Sequence, residues 1–236
     1  MSRIYPLAAE VEAAADVLGG KAHGLVGLRR LGLPVPPGFV IGTGAGRAFL
    51  RHGRLPDGLD RELPLAVAEL EAATGRRLGG PARPLAVSVR SGGPVSMPGM
   101  MTTILNLGLT AEAAGGLAAE TGDRGFALDA RRRFLSSFAA ATDAPVPDDA
   151  IGQLRLAVAA VFSSWGTPRA TTYRELHGIP HDLGTAVTVQ AMVYGNRDQH
   201  SGTGVAFSRD PNTGEPVPFG EVLFGRQGDD VVSAGR

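Results

Sequence analysis

Two short apolar runs, residues 85–89 and 104–107, border a segment whose composition differs from the rest of the chain. This segment, residues 88–103, combines one arginine with paired glycines, several serine and threonine hydroxyls and three methionines. Short apolar runs bounded by turn residues are typical of strands. The chain is therefore predicted to build a sheet here, with an unusual glycine-rich loop between two of its strands.

The rest of the pattern predicts helices through the middle of the chain and strands near its end, which indicates an α/β (α+β) fold. Helical spacing of apolar residues predicts seven helices, over residues 22–31, 43–51, 59–74, 111–120, 124–141, 148–165 and 169–177. Asp148 is the expected N-cap of the sixth. Further strands are predicted at residues 38–41, 186–194, 203–208 and 221–224.

Charge and cysteine content exclude several classes of function. The 236 residues include 23 basic and 23 acidic side chains, and this balance argues against broad binding of nucleic acid or of an acidic membrane. The absence of cysteine excludes disulfides and zinc–thiolate sites. No apolar run approaches the roughly 18 residues of a membrane span, and the N-terminus lacks a signal-peptide pattern, so we expect a cytoplasmic protein.

The single lysine of the chain is a candidate phosphate ligand. Twenty-two of the basic residues are arginines, and Lys21 alone carries an ammonium, between Gly20 and Ala22. A compact ammonium on a flexible stem suits a phosphate group and is not equivalent to a guanidinium. The alternative is that the position of this lysine has no functional meaning.

Arg90 and the glycines that follow it form a second candidate site. Glycines allow backbone N–H groups to approach an anion, serine and threonine hydroxyls add donors, and a guanidinium matches phosphate oxygens. The chain contains no Walker A pattern, which excludes an ordinary P-loop. The alternative is a surface turn with a solvated arginine.

The C-terminal region supplies oxygen-bearing side chains that could serve Mg²⁺. They are Glu215, Glu221, Gln227, Asp229 and Asp230. Magnesium takes one or two protein carboxylates together with phosphate and water oxygens. The alternative is that these residues are solvated members of hairpin turns.

Several blocks of sequence, in order along the chain, resemble the N-terminal nucleotide-binding region of the pyruvate phosphate dikinase family. One of them reads Ser88-Val89-Arg90-Ser91-Gly92 and continues through Val95-Ser96-Met97-Pro98-Gly99. The others are residues 19–22, 31–39, 105–108, 177–190, 201–215, 220–221 and 227–232.

The resemblance implies an ATP-grasp-like domain of two lobes with mixed β-sheets. The N-terminal lobe would span residues 1–110 and carry Lys21 and Arg90. Residues 111–180 would form a helical segment, shortened relative to the family, and residues 181–236 a β-rich C-terminal lobe.

The resemblance also implies three sets of site residues for ATP and Mg²⁺. Lys21 and Arg90 would hold phosphates and act in catalysis. The nucleotide would be covered and lined by Ser91, Thr102, Thr103, Gln190, Met192 and Val193. The metal would be held by Glu221, Gln227 and Asp229.

The function that this resemblance implies is transfer of a phosphoryl group from Mg-ATP to a histidine on a separate domain or protein. We expect that the chain alone cannot perform the full dikinase reaction, because the acceptor-histidine motif of the family is not in it. Thr102 and Asp229 depart from the aspartate and glutamate expected there. Because of these departures, one alternative function is a degenerate module that binds nucleotide without turnover. Further alternatives are a remnant without activity and a kinase that acts on a small-molecule acceptor.

Overall fold

The computed structural model describes residues 3–228, and the chain divides into two compact units, Met1–Met192 and Val193–Arg236. The sequence instead suggested a division after residues 110 and 180. A strand at Ala186–Ala191, which that division assigns to the last part, lies within the main sheet of the first unit. The assignment of residues 1–110, 111–180 and 181–236 to separate nucleotide-binding lobes stays a prediction.

The first unit is built on a five-stranded sheet in which every neighbouring pair is antiparallel. In spatial order β1-β2-β7-β5-β6, its strands are Ile4–Pro6, Gly38–Ile41, Ala186–Ala191, Val87–Gly92 and Thr103–Leu107. Two very short strands, β3 (Arg77–Leu78) and β4 (Pro84–Leu85), pair in parallel beside it. Antiparallel and parallel pairing thus both occur within residues 3–228, but in separate sheets.

Alternation on β5 and β7 places valines on one face of the sheet and polar side chains on the other, which Val40 and Ala186 share as part of a separate apolar cluster. On β5, Val87 and Val89 alternate with Ser88 and Arg90, and β7 repeats this with two valines, a threonine and a glutamine. Successive side chains of a strand point to opposite faces. The valines of β5 and β7 therefore face one layer of the protein and the polar side chains the other.

Helices account for much of the chain and confirm the α/β (α+β) class. In chain order, α1 to α8 are Ala15–Leu18, Gly20–Arg30, Thr43–His52, Leu59–Thr74, Ala111–Thr121, Arg124–Ala141, Ala150–Ser163 and Pro168–Leu176. All seven predicted helices are present, and α1 is the addition. None of the helices within residues 3–228 combines the length and the apolar character that crossing a membrane requires.

The apolar face of the sheet packs against α3, α4, α6 and α7. The largest buried side chains of this layer are phenylalanines, among them Phe134, Phe138 and Phe162, each at most 1% exposed. The rings of Phe134 and Phe138 meet edge to face with centroids 5.7 Å apart. Burial of such rings is a principal source of stability, so this layer fixes the sheet on which the polar face depends.

The N-terminus of α7 corrects one prediction. Asp149, and not Asp148, is the N-cap: its carboxylate accepts the backbone N–H of Gly152 at 2.6 Å. Both aspartates precede an apolar helical pattern, and only the local backbone path selects between them.

The described part of the second unit, residues 193–228, contains an antiparallel hairpin. Its strands are β8 (Gly202–Phe207) and β9 (Phe219–Phe224), with Phe207 paired to Phe219 and Val205 to Glu221. Both predicted strands are therefore present. The turn before β8 is held by Asp198, whose carboxylate accepts the N–H groups of His200 and Ser201.

Candidate functional site

Arg90 lies at the centre of the polar sheet face. It is directly opposite Thr188 on β7 and Thr103 on β6. Its side chain is half-buried, and withdrawal of solvent lowers the pKa of its guanidinium below the ordinary value. Because arginine stays protonated in proteins, the sheet presents a fixed and partly dehydrated positive charge at this point.

Gln190 holds Arg90 in place. Its side chain is buried, its amide oxygen accepts a hydrogen bond from Arg90 Nη2, and its amide nitrogen donates to the carbonyl of Pro36 at 3.0 Å. Both ends of the carboxamide are thus engaged within the protein. The structure gives Gln190 a role in orienting Arg90, and the predicted contact of Gln190 with a nucleotide stays untested.

Two buried polar atoms beside this pair lack a hydrogen-bond partner within the described residues. They are Arg90 Nε and Thr188 Oγ1, on residues that face each other across β5 and β7. Buried polar groups are usually paired, so this polar face is a place where a ligand or water would be stabilised. Sequence reasoning missed Thr188, although the valine–polar alternation of residues 187–190 indicates that it shares a face with Gln190.

Lys21 reaches this region from the first turn of α2. Its Nζ donates to the carbonyl of Ser91 at 3.2 Å. The side chain keeps contact with solvent, yet the protein around the ammonium lowers the pKa of Lys21, first through desolvation and then through repulsion by Arg90. The structure thus brings Arg90 close enough to Lys21 for its charge to act on the ammonium.

The position of Lys21 depends on close backbone packing between glycines. A Cβ built on Gly19, whose φ is +77°, would lie 1.7 Å from the carbonyl oxygen of Gly92. The N–H of Gly20 donates to the carbonyl of Gly93 at 3.0 Å. Only glycine permits this contact, so the Gly19-Gly20-Lys21 sequence brings α2 against the end of β5.

A pocket of about 580 Å³ opens beside Lys21. Its walls come from the start of α2, the end of β5 and the loop of residues 93–101, which we call the methionine loop. The lining residues are Gly20, Lys21, Ser91, Gly92, Gly93, Pro94, Val95, Ser96, Met97, Pro98, Gly99, Met101, Thr103 and Trp165. The volume is within the usual range for small-molecule sites.

The three predicted hydroxyl residues have different surroundings. Ser91 and Thr103 line the pocket. Thr102 does not line it, and its backbone N–H donates to Ser164 Oγ at 3.2 Å, which anchors the end of the methionine loop. Ligand contacts of all three stay predictions.

Met192 and Val193, predicted to line the nucleotide, have backbone groups that already form hydrogen bonds within the protein. The N–H of Met192 donates to the carbonyl of Ala86 at 2.9 Å. The carbonyl of Val193 accepts from Gln227 Nε2 at 3.1 Å. These two groups are therefore occupied, and an adenine contact by Met192 or Val193 stays untested.

The predicted metal ligands have separate surroundings. Glu221 lies exposed on β9, whereas Gln227 is buried, and its amide oxygen accepts the N–H of Gly195 at 2.9 Å. Asp229 lies outside the described residues. Within residues 3–228, no group of three histidine, aspartate or glutamate side chains is arranged to hold a metal ion.

Comparison with known proteins identifies the family. The model of the pyruvate phosphate dikinase AMP/ATP-binding domain matches residues 51–236. Pyruvate, phosphate dikinase 1, chloroplastic, of Oryza sativa subsp. japonica is 43% identical over 95% of this chain and 29% of its own length. The Rhizobium meliloti pyruvate, phosphate dikinase is 41% identical over 94% of the chain and 30% of its length. The Giardia intestinalis pyruvate, phosphate dikinase is 40% identical over 97% and 31%.

Two features of these matches concern the position of Lys21 and the length of the matched region. Lys21 precedes the matched domain model, but the alignment with the Giardia protein covers 97% of the chain and so includes it. The rice alignment spans 273 positions, which is 37 more than the 236 residues of the chain, so the relative has additional residues inside the matched region. The chain spans about 30% of the length of these relatives. It belongs to the pyruvate phosphate dikinase AMP/ATP-binding domain family.

Proposed function

We propose that the first unit binds the polyphosphate of ATP between Lys21 and Arg90. The observation that carries this proposal is that Lys21 lines the pocket and that its Nζ donates to the carbonyl of Ser91, the residue that follows Arg90 on β5. Within residues 3–228 neither forms an ion pair with a carboxylate, and desolvation, followed by the charge of Arg90, lowers the pKa of Lys21. Like charges near each other are unfavourable without an anion, and Arg90 is also partly withdrawn from water. A polyphosphate would remove that repulsion.

The reaction that we propose is transfer of a phosphoryl group from ATP to a histidine on a separate domain or protein. Membership of the AMP/ATP-binding domain family supports ATP as the ligand. In phosphoryl transfer the protein contributes mainly positioning and stabilisation of charge. Arg90, fixed by Gln190, and Lys21, fixed by the glycine contact, supply two cations of defined position for that purpose. A cytoplasmic location stays a prediction, since the named relatives include a chloroplastic enzyme.

The described residues fit Mg²⁺ only in part. Glu221 offers the hard oxygen that the ion prefers, whereas the oxygen of Gln227 already accepts a hydrogen bond from Gly195. Magnesium would neutralise phosphate charge when bound with ATP. We propose Glu221 and Asp229 as its protein ligands and assign Gln227 first to the structure of the second unit, where it links Gly195 and Val193.

The hydrogen bond that Gln227 Oε1 accepts from the N–H of Gly195 favours the second candidate function, which is nucleotide binding without turnover. A regulatory module or subunit of this kind would need the polyphosphate ligands Lys21 and Arg90 but no complete metal site. The Thr102 N–H, bonded to Ser164 Oγ, holds the methionine loop and serves binding as well as it would serve transfer.

Radiolabelled ATP distinguishes the two functions. The purified chain is incubated with labelled Mg-ATP and a Rhizobium meliloti relative lacking its own matched region, and the acid-labile phosphate on that relative is counted. Labelling that requires the chain and disappears in Arg90→Ala supports transfer. Binding of ATP without labelling supports the regulatory module, and no ATP binding by the folded protein contradicts both.

A further inference from the structure

Trp165 forms a wall of the Lys21 pocket and supports the methionine loop. The indole is 3% exposed and belongs to a buried cluster with Met97, Ala170 and Ile179. A Cβ built on Gly93 would lie 3.5 Å from an indole ring carbon, so the ring packs directly against the loop backbone. The Trp165 ring is therefore one of the contacts that hold the methionine loop, beside the bonds of Gly93 and Thr102.

Arg174, which does not line the pocket, contacts the Trp165 ring. It is 3% exposed, and its guanidinium carbon lies 4.3 Å from the centroid of the Trp165 ring. Its Nη1 donates to the Trp165 carbonyl at 2.6 Å, its Nε to His181 Nδ1 at 3.0 Å and its Nη2 to Thr171 Oγ1 at 3.2 Å. The guanidinium thus contacts both the backbone and the ring face of Trp165.

The indole is held at its other edge as well. Trp165 Nε1 donates to the carbonyl of His181 at 2.8 Å, and His181 also accepts from Arg174. The three residues form a closed set of contacts in which each restrains the other two. A planar guanidinium can stack and donate in several directions at once, which an ammonium cannot do.

We propose that Arg174 is a positioning residue for nucleotide binding: it acts through Trp165 to hold the methionine loop against the Lys21 pocket. The proposal rests on the proposed function of that pocket. Arg174 is not among the residues that line the pocket, so its effect on affinity is indirect. Its guanidinium is not proposed to contact the phosphates, whereas those contacts are the proposed role of Lys21 and Arg90.

Fluorescence and calorimetry together test this role. Trp165 is the single tryptophan of the chain, so its emission and its quenching by acrylamide report on this position alone. At a temperature where the variant is fully folded, Arg174→Met should shift the emission to longer wavelength and increase quenching. ATP affinity should fall by roughly tenfold, equivalent to about 1.4 kcal/mol. Arg174→Lys should resemble Arg174→Met, because a lysine restores charge but not the planar contact.

Arg76→Met is the matched control, since it removes a half-buried arginine that pairs with Glu120 away from the pocket. It should leave both quenching and affinity unchanged. If folded Arg174→Met binds ATP as tightly as the wild type, Arg174 is only structural and the proposal is overturned. If Arg174→Met does not fold, Arg174→Lys decides, because it keeps the buried positive charge and the aliphatic stem but loses the planar contact with Trp165. Wild-type quenching and affinity in that variant would overturn the proposal too.

Failure of the proposed function is recognisable separately. If the wild type binds no ATP, the polyphosphate site is wrong, and hydrogen exchange of residues 93–101 then tests the positioning role alone. Arg174→Met should accelerate exchange in the methionine loop beyond any change in Arg76→Met. Unchanged exchange there would overturn the proposal.

Discussion

Replacement of Gln190 by methionine should reduce both the stability of the protein and its affinity for ATP. The side chain is buried, accepts from Arg90 Nη2 and donates to the carbonyl of Pro36. Methionine has a similar volume but makes neither hydrogen bond. Loss of a bond to a charged group costs about 1.5–3 kcal/mol and loss of a neutral one about 0.5–1.5 kcal/mol. We therefore expect the free energy of unfolding to fall by about 2–4.5 kcal/mol.

The affinity should fall because Arg90 is then free to leave the orientation in which it faces the ligand. A tenfold loss, about 1.4 kcal/mol, is the expected magnitude, measured by calorimetric titration of the folded variant with ATP. Arg90→Ala should lose more, since it removes the charge itself. A larger loss in Gln190→Met than in Arg90→Ala would instead indicate that Gln190 contacts the nucleotide directly.

Gln153→Met provides a matched control. Gln153 is equally buried, and its carboxamide also links one donor to a proline carbonyl, accepting from the N–H of Gly108 at 3.3 Å and donating to Pro147 at 2.9 Å. This variant should lose about 1–3 kcal/mol of stability and none of its affinity. If Gln190→Met behaves in the same way, with wild-type affinity, the reasoning that Gln190 orients Arg90 is refuted.

Three further predictions concern the backbone, the charge of the lysine and a helix cap. Gly19→Ala should lower the free energy of unfolding by about 2–6 kcal/mol, because the added carbon strains the backbone and overlaps Gly92. Gly24→Ala, with nothing within 4 Å of the added carbon, should instead raise it by about 0.5–1 kcal/mol. Chemical denaturation measures both changes. The pKa of Lys21 lies below its ordinary value of 10.5, and a bound polyphosphate should raise it, so affinity should fall as pH rises through the lowered pKa. Calorimetry in buffers of different ionisation enthalpy should then show proton uptake on binding that Lys21→Met abolishes. Asp149→Ala should lower the free energy of unfolding by about 1 kcal/mol through loss of the N-cap, and Asp148→Ala should lower it by less than about 0.5 kcal/mol. Equal losses in the two variants would contradict the assignment of Asp149 as the cap.

Local features of the fold were predictable because local chemistry determines them. The helix at Leu59–Thr74 has the bounds that its apolar spacing predicted, and a left-handed glycine, Gly75, ends it. The strand at Gly38–Ile41 likewise has its predicted bounds. The three-residue edge strand Ile4–Pro6 was missed, because a run of that length has too few residues to show a period.

Contacts between distant residues were not predictable from the chain alone. Arg90 and Gln190 are 100 residues apart, and nothing in the sequence around either indicates that one orients the other. The placement of β7 between β2 and β5 decides this pairing. Lys21 could be found because it is the only lysine, but its contact with Ser91 depends on the approach of two glycine backbones, which sequence spacing does not reveal.

Calorimetric titration of the purified chain with ATP, beside Lys21→Ala and Arg90→Ala, tests the central claim most directly. Thermal denaturation of each variant establishes that it is folded at the temperature of titration, and Arg76→Ala serves as the control for removal of a cation elsewhere. We predict saturable binding to the wild type and to the control, weakened by at least about tenfold, or 1.4 kcal/mol, in each of the other two variants. Equal affinity in all four proteins, or no binding to the folded wild type, would contradict the assignment of Lys21 and Arg90 as the polyphosphate ligands.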